Sequence, residues 1–253
     1  MADRDEILGW CDELLDSGSF EDYGPNGLQV PGGRDVSKIA TGVTANLETL
    51  ERGIESGAEL LITHHGLLWG DEVSPLSVPM ASRLRALLCA DVSLAAYHLP
   101  LDAHPEIGNN ALLRDALGLD PDPRPFGQAK GSAVGLIGRA PEPIGVAELG
   151  RRLSEAVGRE PLVFESGPER ISTVGVVTGA GGFALHEAGP MGLDALVTGE
   201  PSEPVMGEAR EYGIHFLAGG HYATETFGIR RLGELAVERF EVEHAFIDVP
   251  NPI

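Results

Sequence analysis

Cysteine and lysine are the scarce residues of this 253-residue chain. Cys11 and Cys89 are its only thiols, too few for a disulfide framework or a thiolate zinc site. Lys38 and Lys130 are its only lysines, so arginine supplies nearly all of the 18 cations. Against these stand 39 acidic residues, for a net charge of −21. The basic face that a nucleic-acid backbone requires is therefore not expected. No run reaches the ~20 apolar residues of a membrane span. Met1 to Asp5 lack the basic-then-apolar layout of a signal peptide. With 42% hydrophobic residues, the chain has enough apolar surface to bury a core. The expectation is a cytoplasmic protein without a membrane partner, built of one large or two modest domains. The acidic, lysine-poor surface also suits a high-salt cytosol, where a Debye length of ~3 Å at 1 M mutes self-repulsion.

Local patterns fill in the fold. Ile7, Leu8, Cys11, Leu14 and Leu15 recur at helical spacing, and Asp3 with Glu6 reads as a capping box. Gly24 to Gly33 reads as a loop. Strand-like segments follow at Ile39–Val43, Glu59–Thr63 and Val92–Tyr97, alternating with helical ones at Asn46–Glu55, Pro79–Ala90 and Asn110–Leu117. Such alternation predicts parallel βαβ units and an α/β sandwich. Asp120 to Pro125 (DPDPRP) carries three prolines and reads as a linker, dividing the chain into 1–124 with 226–253 and 125–225. Beyond it the alternation resumes, with strands expected at Ala133–Ile137, Leu162–Glu165, Ile171–Val177, Ala195–Thr198, Ile214–Ala218 and Glu243–Val249. Helices are expected at Val146–Ala156, Glu203–Tyr212 and Glu225–Phe240.

The two halves resemble each other. GAELLITHH (Gly57–His65) aligns with GLDALVTGE (Gly192–Glu200), setting Gly199 against His64 and Glu200 against His65. LAAYHLPLD (Leu94–Asp102) aligns with LAGGHYATE (Leu217–Glu225), setting His221 against His98 and Glu225 against Asp102. Two matches in the same order indicate a pseudo-duplicated α/β unit. A cleft between two such units is a common place for a ligand.

Four histidines, His64, His65, His98 and His221, fall just past the carboxyl ends of expected parallel strands, where open α/β sheets bind their ligands. His98 and His221 are each followed four residues on by a carboxylate, Asp102 and Glu225. Imidazole and carboxylate without thiolate select Zn, Mn, Fe, Co or Ni. Adjacent His64 and His65 point in different directions and suit two neighbouring ions, the arrangement of a hydrolytic two-metal centre. His104, His186, His215 and His244 lack this context, and His215 reads as structural within its strand.

The strings ITHHGLLWG (Ile62–Gly70), YHLPLDAHPEIGNN (Tyr97–Asn110) and GGHYATETFGI (Gly219–Ile229) closely resemble the Nif-three-like dinuclear metal-centre family, whose members are often labelled GTP cyclohydrolase 1 type 2 homologues. NGLQV (Asn26–Val30) and TGEPSE (Thr198–Glu203) also fit. The resemblance implies a homohexameric ring of two-domain α/β subunits with two divalent ions at the interdomain cleft. It places His65 and Asp102 on one ion, His64 and His221 on the other, and Glu225 between them. His98 stands beside this set, either as a ligand or in the second shell. The activity implied is a metal-dependent hydrolase, with Glu225, His98 and Glu200 as candidate catalytic groups. Its substrate would be a small molecule: a nucleotide, or another phosphorylated or cyclic amide compound. The competing reading is a non-catalytic metal-binding or regulatory ring. Glu200 reads either as an acid–base group or as a helix-start carboxylate. Thr178–Gly182 (TGAGG) reads either as a phosphate-contacting turn or as a plain tight turn. Trp69, Tyr97, Tyr222 and Phe227 flank the metal strings as stacking or packing residues.

Overall fold

A computed structural model of the chain describes residues 1–70 and 75–253. In chain order its first elements are β1 (Ala2–Asp3), α1 (Arg4–Leu15), β2 (Gly27–Val30), β3 (Asp35–Val36), β4 (Lys38–Thr44), α2 (Leu47–Glu55), β5 (Leu60–His65), α3 (Val78–Ala90), β6 (Ser93–Ala96) and α4 (Leu99–Ala103). There follow α5 (Asn109–Ala116), β7 (Asp120–Ala129), β8 (Ser132–Ile144), α6 (Val146–Val157), β9 (Leu162–Phe164), β10 (Ile171–Val177) and α7 (Leu185–Met191). The chain ends with β11 (Ala195–Thr198), α8 (Val205–Tyr212), β12 (His215–Ala218), α9 (His221–Thr224), α10 (Thr226–Phe240) and β13 (Glu243–Phe246). The fold is α/β. Among the described residues, no helix is long and apolar enough to cross a membrane.

Two compact units are present: Met1–Leu101 with Gly228–Val249, and Asp102–Phe227 with Pro250–Ile253. The first holds a five-stranded sheet in the order β13-β4-β5-β6-β2, parallel except for β2 at one edge. Leu50 of α2 and Leu87 of α3 pack with Ala40, Leu61 and Leu94 of the strands. Local chemistry sets the helix starts. The Asp3 carboxylate caps α1 by accepting the N–H groups of Asp5 and Glu6, and Asn46 caps α2 by accepting that of Thr49.

The second unit holds a six-stranded sheet in the order β7-β8-β10-β11-β12-β9, with β10, β11 and β12 parallel. Successive strand residues point to opposite faces, so each face has its own core. Leu196 and Phe216 pack with Leu185 of α7 and Val205 of α8, while Val197 and Leu217 pack with Leu113 of α5 and Leu149 of α6. Both sheets contain three parallel strands followed by an antiparallel edge, β4-β5-β6-β2 and β10-β11-β12-β9. The segments that align in sequence lie on β5 and β11, and on β6 and β12.

Two expectations change. Asp120–Pro125 is not a linker but the first half of β7, and the step between units lies at Leu101/Asp102. The three prolines are tolerated because β7 is an edge strand that needs only one ladder of hydrogen bonds. Gly24–Gly33 likewise contains the edge strand β2, paired to β6.

Candidate metal centre

In the first unit, β5 carries His64 and His65 at its carboxyl end, and His98 lies two residues past the end of β6. The three imidazoles offer ligating atoms that lie within 4.8 Å of one another. Each ring is held through its Nδ1. His64 Nδ1 lies 3.0 Å from the Tyr97 carbonyl oxygen, which can only accept, so that nitrogen carries the proton. The β4–β5 register sets Thr44 opposite His65, and Thr44 Oγ1 is 3.1 Å from His65 Nδ1. His98 Nδ1 lies 2.7 Å from Asp22 Oδ1. Gln29 on β2 accepts the N–H groups of Leu67 and Leu68 and so fixes the turn after His65.

In the second unit, Asp102 is buried and accepts a 2.8 Å hydrogen bond from Asn109 at the start of α5. Thr178 Oγ1 is 3.4 Å from the same oxygen, and Asn110 Oδ1 accepts the Thr178 N–H. His221 opens α9 beyond β12, with Nε2 3.2 Å from Glu225 and Nδ1 3.2 Å from Glu200. Glu200 thus faces a histidine rather than a helix start. Burial alone would lower the His221 pKa, but the carboxylates of Glu225 and Glu200 outweigh it and push the imidazole up to about 9.

This shift has a consequence for the metal-free protein. A folded pKa above the unfolded value of ~6.5 contributes stability that is complete below pH 6.5 and is lost as the pH rises through about 9. Thermal unfolding of chelator-treated protein should therefore show a melting temperature that falls across this window. In Glu200→Gln the fall should be smaller. Identical slopes would contradict the assignment.

The remaining histidines have local partners. His215 is buried, with Nε2 2.9 Å from the Pro168 carbonyl and Nδ1 accepting the Gly167 N–H, as a structural residue should be. His104 caps its own turn through the N–H groups of Glu106 and Ile107, and His244 meets Thr41. His186 lies 3.8 Å from Glu208. Among the flanking aromatics, Tyr97 is fully buried and donates to the Leu8 carbonyl, and Phe227 packs into the second unit's core. Trp69 remains 46% exposed, its indole N–H on the Gly66 carbonyl.

The Thr178–Gly182 turn has a role the motif did not suggest. Gly179, at φ +62, donates its N–H to Thr224 Oγ1, and its carbonyl accepts from Gly199, Glu200 and Thr198. A Cβ at Gly179 would run into the Glu225 carboxylate. The turn is therefore a cradle for Glu225. Asp22, Thr44, Thr178 and Thr224 belong to the surroundings of these side chains, and nothing in the local sequence marks Asp22 or Thr44.

Comparison with known proteins gives the family. The pattern of the Duf34/NIF3 (NGG1p interacting factor 3) family matches residues 2–252. A protein of Deinococcus radiodurans named GTP cyclohydrolase 1 type 2 homolog is 41% identical over 250 residues, covering 98% of this chain and 94% of its own. A Pseudomonas aeruginosa protein of the same name is 43% identical over 243 residues, covering 96% and 95%. The solved structure of protein ybgI, of unknown function, superposes with a TM-score of 0.93 at 40% identity, over 99% of this chain and all of that one.

Proposed function

The chain belongs to the Duf34/NIF3 family, and from that membership and the clusters above we propose that it is a metal-dependent hydrolase working through two divalent ions per subunit. The observation that carries the reading is the convergence of His64, His65 and His98. Imidazole nitrogens, with carboxylates and no thiolate in the set, fit Zn, Mn, Fe, Co or Ni. In this reading His65 and Asp102 serve one ion, His64 and His221 the other, Glu225 lies between them, and His98 adds a further ligand. When bound, such a pair supplies Lewis-acid polarisation and a water made acidic enough to react near neutral pH.

The chain's own residues prepare this. The Tyr97 carbonyl keeps the proton on His64 Nδ1 and leaves Nε2 to ligate. Asn109 and Thr178 hold Asp102 through one carboxylate oxygen. Glu200, against His221 Nδ1, is the group placed to take up or return a proton. The relatives' name points to a nucleotide, and a phosphorylated or cyclic amide compound offers the same kind of electrophile. The shared strand order of the two sheets supports their origin by duplication, and a homohexameric ring is the assembly expected for the family.

Metal content per chain, measured by elemental mass spectrometry on protein purified at high salt without chelating resin, tests the proposal. About two ions per wild-type chain and at most half of that in Glu225→Ala is the expected result. No metal in either protein, even after incubation with Zn, Mn, Fe or Ni, would overturn it. Full loading with no turnover of nucleotides, phosphoesters or cyclic amides would favour the non-catalytic metal-binding ring.

A further inference from the structure

We propose that Asp22 is a positioning residue of the metal centre, whose buried carboxylate keeps the proton on His98 Nδ1 and so commits His98 to ligate through Nε2. The inference rests on the metal-binding reading above and assigns a residue that the ligand set leaves out.

The Asp22 side chain is 2% exposed. Its Oδ1 lies 2.7 Å from His98 Nδ1 and 2.6 Å from the Tyr23 N–H. Its Oδ2 lies 3.0 Å from Asn26 Nδ2 and 2.9 Å from the Leu99 N–H. The backbone groups can only donate. The Asn26 amide is oriented by its other end, since its Oδ1 accepts the His98 N–H at 2.9 Å and so leaves Nδ2 to donate to Asp22. Fixed donors thus meet the side chain on both oxygens, and hydrogen bonds of this kind favour the carboxylate over the acid. Asp22 therefore acts as an acceptor, and His98 donates from Nδ1.

In neutral His98 the lone pair then sits on Nε2. His64 reaches the same state through the Tyr97 carbonyl. Two rings of the cluster are thereby fixed in one tautomer by acceptors that cannot donate. The His98 ring is also braced edge-on by Trp69, at 5.2 Å between centroids, and by Tyr23, at 6.0 Å. A carboxylate behind a ligating imidazole raises its basicity and fixes its orientation, and loss of such a partner typically weakens metal binding by roughly 10- to 100-fold.

The test is a double-mutant cycle on metal affinity, read by Co(II) titration of the full chain with optical and calorimetric detection. Asp22→Asn should weaken the binding of one ion by roughly 10- to 100-fold. His98→Ala should weaken it at least as much. Added to His98→Ala, Asp22→Asn should cost little more, because its partner is already gone. Equal affinity in Asp22→Asn and wild type overturns the proposal. So does the same loss in both backgrounds, which would mean that Asp22 merely holds the fold. Normal Co(II) affinity with lost turnover overturns it too, in favour of His98 as a base. If Asp22→Asn does not fold, the tautomer is read in the wild type by ¹⁵N–¹H spectra of the histidine rings, where a proton on His98 Nε2 defeats the idea. A wild type that binds no Co(II) fails at the metal-binding reading itself, and the proposal falls with it.

Discussion

Gly179→Ala is expected to strip metal from the protein while leaving it folded. Gly179 sits at φ +62, where alanine pays on the order of 1–2 kcal/mol in backbone strain. The larger effect is steric. The new methyl would occupy the space of a Glu225 carboxylate oxygen, with His221 Nε2 3.2 Å away. Glu225 is 3% exposed, so its carboxylate cannot swing into solvent and must give up its place beside His221. If Glu225 lies between the two ions, both lose a ligand. Metal content should fall at least as far as in Glu225→Ala, and turnover should fall with it. Gly131→Ala is the control. Gly131 also has positive φ, +81, but a Cβ there meets nothing within 4 Å. It should share the stability cost and keep its metal. Equal metal loading of Gly179→Ala and wild type would show that Glu225 is not a ligand.

The same packing explains a difference between two segments that align in sequence. Gly199 aligns with His64, yet no side chain fits there: a Cβ would lie 2.6 Å from the Gly179 carbonyl oxygen and 2.7 Å from His221 Cα. Backbone cannot yield as a side-chain tip can. The second unit therefore has no room for a counterpart of His64. It presents Glu200 and His221 instead, one at the end of β11 and one at the end of β12.

What could be read directly from the residues was whatever depends on near neighbours in sequence. The apolar runs of β5, β10 and β11 announce themselves, as does the cap at Asp3. His64, His65, His98 and His221 were found because strand ends and adjacent histidines are local signals. Asp22 was not, because its bond to His98 spans 76 positions and its own neighbourhood carries no pattern. Gly179 reads only as part of a phosphate-contacting or plain tight turn, because the residue it makes room for, Glu225, lies far along the chain. The step between units was misplaced for a related reason. It falls within α4, which has no change of composition to mark it, whereas the prolines of Asp120–Pro125 give a strong signal that an edge strand can absorb.

That edge strand supports the second large effect, Phe126→Ala. Phe126 lies on β7 and is fully buried in the core that joins Leu196, Leu185 and Phe216. Its ring rests on two strand glycines. A Cβ at Gly175 would meet the ring at 2.6 Å, and one at Gly135 would meet it at 3.3 Å. With no side chains on these glycines to fill the space, truncation leaves a cavity that the strands cannot close by small shifts. The expected cost is about 3–5 kcal/mol, a large part of the ~5–15 kcal/mol that a domain has in reserve. Urea unfolding should show a midpoint well below wild type. Pro123→Ala, on the exposed side of the same strand, should stay within about 0.5 kcal/mol of wild type. The pair separates two pictures of the segment. A linker tolerates both changes, because it packs against nothing. A strand that closes one face of a core tolerates only the proline change, and a Phe126→Ala variant as stable as wild type would show that β7 does not close that core.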